Sequence, residues 1–265
     1  HRDMPVITST HNPLVQRIRG LQSRRRDRER EGRFVLEGVR LLEEAIAADV
    51  AIEQVLFVAD LDARALAALE SAERAGAQRV SVSPAVLHAC ADTETPAGLL
   101  AIASLPRRPT PAAPTAVLVL DGIADPGNVG TLLRTAAAAG LDAVYLATGT
   151  ADAFSPKVVR SAMGAHFHLP LVSLAWDQLP PELAVLRLWV ADVDRGPTYD
   201  SVDWRAPAGL VIGAEAAGPS VAARAAGHSA VHIPMPGGFE SLNAAVAGSI
   251  LMFELVRQRR AAAPP

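Results

Sequence analysis

A cluster of prolines in the middle of the chain most limits how it can fold. Prolines at positions 106, 109, 111 and 114 fall within the stretch SLPRRPTPAAPT. Proline has no backbone N–H and a fixed φ, so neither a helix nor a central strand can run through this stretch. We therefore expect an extended linker at 105–115 between a first domain at 5–104 and a second at 116–260.

Short apolar runs alternate with helical stretches on both sides of this linker. In the first domain, a polar, arginine-rich helix at 12–30 precedes apolar runs at 34–36, 55–58, 80–82 and 99–102, with helices at 39–48, 63–75 and 84–89. In the second, apolar runs at 117–120, 144–146, 188–191, 210–212 and 231–233 alternate with helices at 131–139, 156–163 and about 242–259. The pattern predicts a small α/β layer fold followed by a parallel sheet with helices on both faces.

The last predicted helix carries one apolar stripe. Its members recur at steps of three and four residues: Leu242, Val246, Ile250, Phe253 and Val256. Such spacing predicts one buried face. Packing against the protein's own core and packing against a second copy of the chain remain equally open.

Composition excludes several classes of function. The net charge is −3, so contacts with nucleic acid must come from local basic patches. Cys90 is the single cysteine, which excludes a disulfide scaffold and a cysteine zinc cluster and fits a reducing cytoplasm. The chain contains no apolar run of the roughly 20 residues that span a bilayer, and no signal peptide is visible. We therefore expect no membrane segment. The histidines lack the spacing of metal ligands, so we expect no metal either.

Two glycine-containing turns follow apolar strands in the second domain. In DPGNVGTLLRTA, Asn128 suits a helix cap or a ligand contact, and Arg134 lies about one turn into the helix. In LVIGAEAAGPS, Gly213 would let a ligand approach the backbone, and Glu215 is the one carboxylate. The second turn matches neither a phosphate loop nor the dinucleotide-binding fingerprint. Both turns fall at strand ends, where ligands of parallel α/β sheets gather.

A third segment, IPMPGGFESLNAAVA, joins the last strand to the long helix. Ser241 lies where that helix is predicted to begin and suits its N-cap. Asn243 places a polar amide beside the apolar stripe, which suits a ligand contact or a hydrogen bond at the helix end.

In this order, the three segments resemble the signature motifs of the SpoU/TrmH family of RNA ribose methyltransferases, in the SPOUT superfamily. The intervening SPKVVRSAMGAHFHLP is similar to the family's middle segment. The stretch RRRDREREGRFVLEGVRLLEEA, at 24–45, resembles more loosely the RNA substrate-binding domain that often precedes this catalytic unit. That domain has a fold like certain small ribosomal proteins.

The resemblance implies a SPOUT α/β-knot catalytic domain with a deep trefoil knot, acting on RNA as a homodimer. S-adenosylmethionine would be held mainly by backbone groups, with Gly213, Ile233, Met235 and Leu242 lining its site. The catalytic residues would be Asn128, Arg134, Glu215, Ser241 and Asn243. Since a guanidinium stays protonated, Arg134 suits a phosphate clamp and alkoxide stabiliser better than a base. Glu215 is an alternative proton acceptor, and in the family the motif arginine can reach the partner's cofactor site.

Contacts with RNA are expected from the arginine-rich start of the chain. Residues 1–40 contain ten arginines and five acidic residues. Arg24, Arg25 and Arg26 belong to a dense run that also includes positions 28 and 30, and it suits phosphate contact or a solvated helix face. Lys157 and Arg160 would add to the catalytic cleft. Aromatic residues make up 4% of the chain, which favours recognition of a folded RNA by its shape and backbone.

Three functions remain in competition. The ribosomal-protein-like first domain favours 2′-O-methylation of ribosomal RNA, with 23S rRNA the favoured substrate, either as housekeeping or as self-resistance to antibiotics. A tRNA ribose methyltransferase on the same scaffold is the second, and a non-catalytic RNA-binding assembly factor is the third. All five motif residues expected at the catalytic site are present, which argues against the third.

Overall fold

A computed structural model of the protein describes residues 5–262, which form two compact units. One unit contains residues 5–107 together with Phe154–Phe167. The other contains Arg108–Ala153 and residues 168–262. Residues 105–115 form no helix or strand, as the prolines predict.

The first unit is an α/β layer built on a four-stranded mixed sheet. Its strands are β1 (Arg33–Glu37), β2 (Ile52–Phe57), β3 (Gln78–Ser81) and β4 (Leu99–Ser104), in the order β1-β4-β2-β3. The helices that precede the linker in this unit are α1 (Pro13–Ser23), α2 (Arg25–Glu31), α3 (Val39–Ala47), α4 (Ala63–Arg74) and α5 (Pro84–Cys90). All four predicted strands are confirmed to within about three residues.

The predicted helix at 12–30 is wrong as a single element. Arg24 adopts an extended conformation, with φ −125° and ψ 115°, and this separates α1 from α2. Arg28 is also buried, at 4% exposure, and its Nη1 donates to the backbone carbonyl of Leu21 at 2.6 Å. Arg28 therefore stabilises the junction of α1 and α2, whereas it was predicted as part of a basic run on the surface.

The segment Phe154–Phe167 packs with the first unit, although the sequence analysis assigned it to the second domain. Its helix α7 spans Pro156–Ala162, and a short 3₁₀ turn follows at Ala165–Phe167. Val159 and Phe167 belong to the same buried cluster as Phe34. Burial of these apolar side chains is favourable, so the segment packs into the core of the first unit although it lies between strands of the second along the chain.

The second unit contains a six-stranded sheet in which every strand is parallel to its neighbours. Its strands are β5 (Ala116–Asp121), β6 (Ala143–Ala147), β7 (Leu171–Leu174), β8 (Arg187–Asp192), β9 (Ala208–Gly213) and β10 (Ser229–His232). The order is β10-β8-β9-β5-β6-β7. The prediction of a parallel sheet is confirmed, although β7 was missed because its four residues are at most partly buried except for Leu174.

Helices cover both faces of this sheet. They are α6 (Pro126–Ala138), α8 (Pro181–Ala184), α9 (Val221–Ala226) and α10 (Ala244–Ala262). Val117 and Val119 of β5 pack in one cluster with Leu183 of α8 and Ala223 of α9. On the other face, Gly248 of α10 lies against Ile212 of β9 and Leu132 of α6. Burial on both faces explains the continuous apolar runs of the central strands.

The apolar stripe expected to form the buried face of the last helix is largely uncovered. Val246 and Phe253 are each 48% exposed, and Ile250 and Val256 are half-buried. The buried side of the helix instead carries Ala244, Ala245, Gly248, Leu251, Met252, Glu254 and Leu255. Of the two alternatives left open, packing of the stripe into the core of its own chain is therefore not observed.

Neither a membrane-spanning helix nor a metal-binding group of side chains is found among residues 5–262. No helix in this range is long and apolar enough to cross a membrane. The same range contains no group of three histidine, cysteine or acidic side chains able to hold a metal ion.

Candidate active site

A cavity of about 280 Å³ opens at the carboxyl ends of three adjacent strands, β8, β9 and β10. Its walls come from these strand ends and from the start of α10: Ala191, Asp192, Val193, Ile212, Gly213, Ala214, Glu215, Ala216, Ala217, Gly218, Pro219, Arg224, Val231, Ile233, Met235, Ser241, Leu242, Ala244, Ala247 and Leu251. Ligand sites of parallel α/β sheets lie at this edge, and the cavity is near the lower end, roughly 300 Å³, of small-molecule sites.

The structure places all four residues expected at the cofactor on the wall of this cavity. Gly213 ends β9, Ile233 and Met235 follow β10, and Leu242 precedes α10. Glu215 and Ser241, expected to be catalytic, line it as well.

Gly213 is required by the way the next loop folds back. A Cβ atom on Gly213 would lie 2.3 Å from the backbone nitrogen of Pro219 and 2.5 Å from its Cα. These are backbone atoms, so no side-chain rotation relieves the clash. The glycine therefore allows the chain at 214–219 to close tightly against the end of β9.

The first motif forms a capped helix start that leaves Asn128 free for the site. Asp125 is the N-cap of α6, and its Oδ1 accepts the backbone N–H of Asn128 at 2.8 Å. Pro126 occupies the first turn, where its missing N–H costs nothing. The helix thus begins five residues earlier than predicted, and Asp125 rather than Asn128 provides the cap.

Asn243, not Ser241, provides the hydrogen bonds that begin α10. Its Oδ1 accepts the backbone N–H groups of Ala245 at 2.9 Å and Val246 at 3.1 Å. The helix starts at Ala244, so Ser241 lies two residues before its cap. Because the Asn243 oxygen faces the helix, its amide nitrogen must face the opposite way.

The amide nitrogen of Asn243 completes a cluster with Asn128 and Glu215. The Oε1 of Glu215 accepts the Nδ2 groups of Asn128 at 2.7 Å and Asn243 at 2.6 Å. Asn243 also donates to the Oδ1 of Asn128 at 3.1 Å. Residues from all three motifs, separated by up to 115 positions, therefore meet in one hydrogen-bonded group.

The surroundings of Glu215 suit an acceptor of hydrogen bonds. Besides the two amides, the backbone N–H of Ala244 donates to the same Oε1 at 3.2 Å. This N–H belongs to the start of α10, where the helix dipole favours negative charge. With these three donors on Oε1, Oε2 remains available to accept a hydrogen bond from a ligand.

The cavity contains one charged pair that the sequence analysis missed. Arg224 of α9 forms an ion pair with Asp192 at the end of β8. The carboxylate of Asp192 also accepts the backbone N–H of Val193 at 2.8 Å. The position of Asp192 after a predicted strand was the available signal, whereas nothing local in the sequence indicates Arg224.

Arg134 does not reach this cavity. It is exposed on α6 and makes no hydrogen bond or ion pair with residues 5–262. Its neighbour Thr135 shares a hydrogen bond with Ser249 of α10, at 3.2 Å between the hydroxyl oxygens. The side of α6 that packs on α10 is therefore not the side that presents Arg134.

All five residues expected to contact RNA lie in the first unit. Arg24 pairs with Asp27 at 3.0 Å and Arg25 with Glu29 at 2.6 Å, while their side chains stay 69% and 60% exposed. Arg26 and Lys157 are exposed, and Arg160 pairs with Asp92 at 2.6 Å. Lys157 and Arg160 therefore belong to α7 and do not line the cavity where they were expected to contribute.

The lining of the cavity fits a cationic nucleoside cofactor. Apolar side chains of Val231, Ile233 and Leu251 suit the faces of a purine ring. Two carboxylates and one guanidinium, those of Asp192, Glu215 and Arg224, give a net negative wall that favours a sulfonium.

Known families match both parts of the chain. Residues 115–253 match the SpoU rRNA Methylase family, and residues 12–101 match the MRM3-like substrate binding domain. Two curated relatives support the first match. The 23S rRNA (guanosine(2553)-2'-O)-methyltransferase RlmP of Bacillus subtilis is 35% identical, over 95% of this chain and 99% of that protein. Human mitochondrial rRNA methyltransferase 3 is 33% identical, over 88% of this chain and 69% of that protein.

Two solved structures are similar to this chain over more than nine-tenths of its length. The SpoU methyltransferase AviRb from Streptomyces viridochromogenes, in complex with AdoMet, superposes with a TM-score of 0.84 at 29% identity. The alignment covers 94% of this chain and 98% of that one. An RNA 2′-O ribose methyltransferase superposes with a TM-score of 0.81 at 33% identity, over 97% of this chain and all of the other.

Fold and site together define a SPOUT-type RNA ribose 2′-O-methyltransferase that uses S-adenosylmethionine. The chain belongs to the SpoU rRNA methylase family.

Proposed function

We propose that the protein methylates a ribose 2′-hydroxyl in 23S ribosomal RNA. The observation that carries the proposal is the cluster of Asn128, Glu215 and Asn243 beside the cavity. The relative RlmP, which matches over almost the whole of both chains, is named for a 23S rRNA ribose. S-adenosylmethionine, when bound in this cavity, supplies an electrophilic methyl group.

Glu215 is the group best placed to receive the hydroxyl proton. Its Oε1 is held by Asn128, Asn243 and the start of α10, which fixes the carboxylate. Its Oε2 then accepts a hydrogen bond from the ribose hydroxyl and orients the oxygen lone pair toward the cavity. Ser241, on the cavity wall, adds a hydroxyl that orients the same ribose.

Arg134 acts in the active site of a second subunit. In its own chain it is exposed and lies away from the cavity. The uncovered stripe of α10 and the apolar groove formed by Ile233, Pro234, Met235, Phe239 and Leu242 provide a surface for a second copy. A partner's guanidinium would clamp the RNA phosphate and stabilise charge developing on the ribose oxygen.

Mixing two inactive variants tests whether Arg134 acts between subunits. Arg134→Ala and Glu215→Gln are purified separately, then unfolded and refolded together. If Arg134 serves the partner, half of the dimers are mixed and each restores one of two sites, giving about a quarter of wild-type activity. Activity no higher than that of the separate variants would show that Arg134 acts within its own chain.

The first unit holds the RNA by its phosphates. Exposed surface ion pairs are weak, so Arg24 and Arg25 can release their acidic partners, Asp27 and Glu29, and bind phosphate instead. Further positive charge in the same unit comes from Arg26, Lys157 and Arg160. Replacing Arg24, Arg25 and Arg26 by alanine should reduce the slope of log affinity against log salt by about 2 to 3. An unchanged slope would place the phosphate contacts elsewhere.

Methyl transfer to unmodified rRNA and tRNA tests the reaction and the substrate. Labelled S-adenosylmethionine is offered with each RNA, and the product is digested to nucleosides. We expect label in a 2′-O-methyl nucleoside from rRNA, and at least about tenfold less label with Glu215→Gln. The matched control is Glu70→Gln, at an exposed glutamate of α4, and it should leave the label unchanged. Label in tRNA alone would support a tRNA methyltransferase, and label in neither a non-catalytic RNA-binding factor.

Three further features are proposed with this function. The sheet order and the fold shared with SpoU enzymes support a trefoil knot in the catalytic unit. A substrate in ribosomal RNA supports action in the cytoplasm, where bacterial ribosomes assemble. Nucleoside mapping of 23S rRNA from cells with and without the enzyme, combined with antibiotic sensitivity, separates a housekeeping role from self-resistance.

A further inference from the structure

Asp121 is a buried carboxylate that the sequence analysis did not single out. It is the last residue of β5, is 4% exposed, and lies in register with Gly213 at the end of β9. Burial of a charged side chain is costly unless hydrogen-bond donors surround it. Its partners therefore indicate what the carboxylate stabilises.

The carboxylate of Asp121 receives donors from two other segments of the second unit. Its Oδ2 accepts the backbone N–H of Ser220 at 2.6 Å. Its Oδ1 accepts the indole N–H of Trp176 at 2.8 Å and the hydroxyl of Ser220 at 3.1 Å. The Ser220 oxygen in turn accepts the N–H of Ala223 and caps α9. Asp121 thus holds both the backbone and the side chain of Ser220.

Ser220 ends the loop that forms one wall of the cavity. This loop, at 214–219, begins after Gly213 and carries Glu215. Its two ends meet at Asp121, because Gly213 is the strand partner of Asp121 and Ser220 is hydrogen-bonded to it. Within the loop, the N–H of Gly218 donates to the carbonyl of Ala214 at 2.7 Å. A short loop closed in this way keeps its shape only while both ends are held.

We propose that Asp121 is a positioning residue for methyl transfer. It lies outside the set of residues that line the cavity, so it acts through the loop. By fixing Ser220, it keeps the 214–219 wall in the shape that binds the cofactor and keeps Glu215 within reach of Asn128 and Asn243. The inference rests on the proposed function, which assigns the cofactor to this cavity.

Asp121→Asn tests the proposal because it preserves the shape of the side chain. The amide oxygen can still accept from Trp176, but the amide nitrogen then faces the N–H of Ser220, and two donors oppose each other. We expect the dissociation constant for S-adenosylmethionine, measured by calorimetry, to rise about ten- to a hundredfold, the factor for one charge-assisted hydrogen bond. We also expect a lower kcat, while the affinity for RNA stays at the wild-type value.

Asp142→Asn is the matched control. Asp142 also accepts two backbone N–H groups, those of Thr115 at 2.6 Å and Ala116 at 2.9 Å. These lie at the amino-terminal end of β5, whereas the cavity lies at the carboxyl ends of the strands. This variant should lower the melting temperature as Asp121→Asn does, yet leave cofactor affinity and kcat unchanged.

The outcomes separate a positioning role from a general loss of stability. Weakened cofactor binding in Asp121→Asn alone supports the proposal. Wild-type affinity in Asp121→Asn, or equal weakening in both variants, overturns it. If Asp121→Asn does not fold, Ser220→Ala replaces it, and an unchanged dissociation constant there also overturns the proposal. Wild-type protein that does not bind S-adenosylmethionine at all would instead overturn the proposed function.

Discussion

At the scale of single residues, Asn243 shows how one amide group can serve both folding and chemistry. Its oxygen accepts the first free N–H groups of α10, and its nitrogen donates to Glu215. The helix thereby orients the amide, and the amide orients the carboxylate. Since the two tasks use different atoms, a substitution can remove one and keep the other.

Replacing Asn243 by serine or alanine should separate these tasks. Serine caps a helix about as well as asparagine but is too short to carry the amide donor to Glu215, whereas alanine does neither. We expect Asn243→Ala to lose about 1 kcal/mol of stability and Asn243→Ser much less. Both should lose methyl transfer by about tenfold or more, because Glu215 loses a donor. Thermal unfolding and kcat measure the two effects, and an active serine variant would contradict the catalytic part.

At the scale of elements, Glu53 joins three parts of the first unit. It lies on β2, and its carboxylate binds Arg17 of α1 at 2.5 Å and Arg33 of β1 at 2.9 Å. The hydrogen bond from Arg17, followed by the one from Arg33, outweighs desolvation and lowers the pKa of Glu53 below its usual value. The carboxylate of Glu53 therefore binds a proton less readily in the folded protein than in the unfolded chain.

The contribution of Glu53 to stability should depend on pH. A lowered pKa in the folded state stabilises the protein above the unfolded value near 4.5, and this stabilisation is lost as pH falls through the folded pKa. We expect Glu53→Gln to cost on the order of 1 kcal/mol at pH 7 and little at pH 2. Denaturant unfolding at both pH values measures this. Glu73→Gln, in the exposed pair with Arg79, is the matched control and should change little.

At the scale of the whole molecule, the uncovered stripe of α10 is the surface on which the proposed dimer depends. Phe239 is 80% exposed, and Val246 and Phe253 are each 48% exposed in the same unit. Large apolar side chains grouped on one surface commonly mark an interface. The groove beside this surface shares Ile233, Met235 and Leu242 with the cavity, so a second chain bound there would lie close to the proposed site.

Phe253→Asp should convert the proposed dimer to monomers and abolish most methyl transfer. A buried unpaired carboxylate would oppose association, and the partner's Arg134 would then be lost from the site. Light scattering after size-exclusion chromatography reports the mass. Val185→Asp, at a valine that is 77% exposed on another helix end, should remain dimeric and active. A monomeric wild-type protein would refute the assembly outright.

Much of the fold follows from local and periodic features of the sequence. The central strands of both units were predictable because continuous apolar runs, such as those at 99–102 and 117–120, suit strands buried on both faces. The position of the cavity was predictable because the second and third motifs follow β9 and β10. These strands lie in one parallel sheet, so their carboxyl ends fall at the same edge. The family resemblance then identified the residues of the cavity wall individually, Gly213, Ile233, Met235 and Leu242.

Only the tertiary structure decided which surfaces meet. The periodicity of α10 identified an apolar stripe, but the helix instead buries the side that contains Gly248. The missing side chain there lets Leu132 of α6 and Ile212 of β9 approach closely. Phe154–Phe167 joins the first unit because its apolar side chains complete that core. Asp121 gains its importance from Trp176 and Ser220, which lie 55 and 99 positions away. A sequence determines each element through its neighbours along the chain, whereas these contacts depend on residues that only folding brings together.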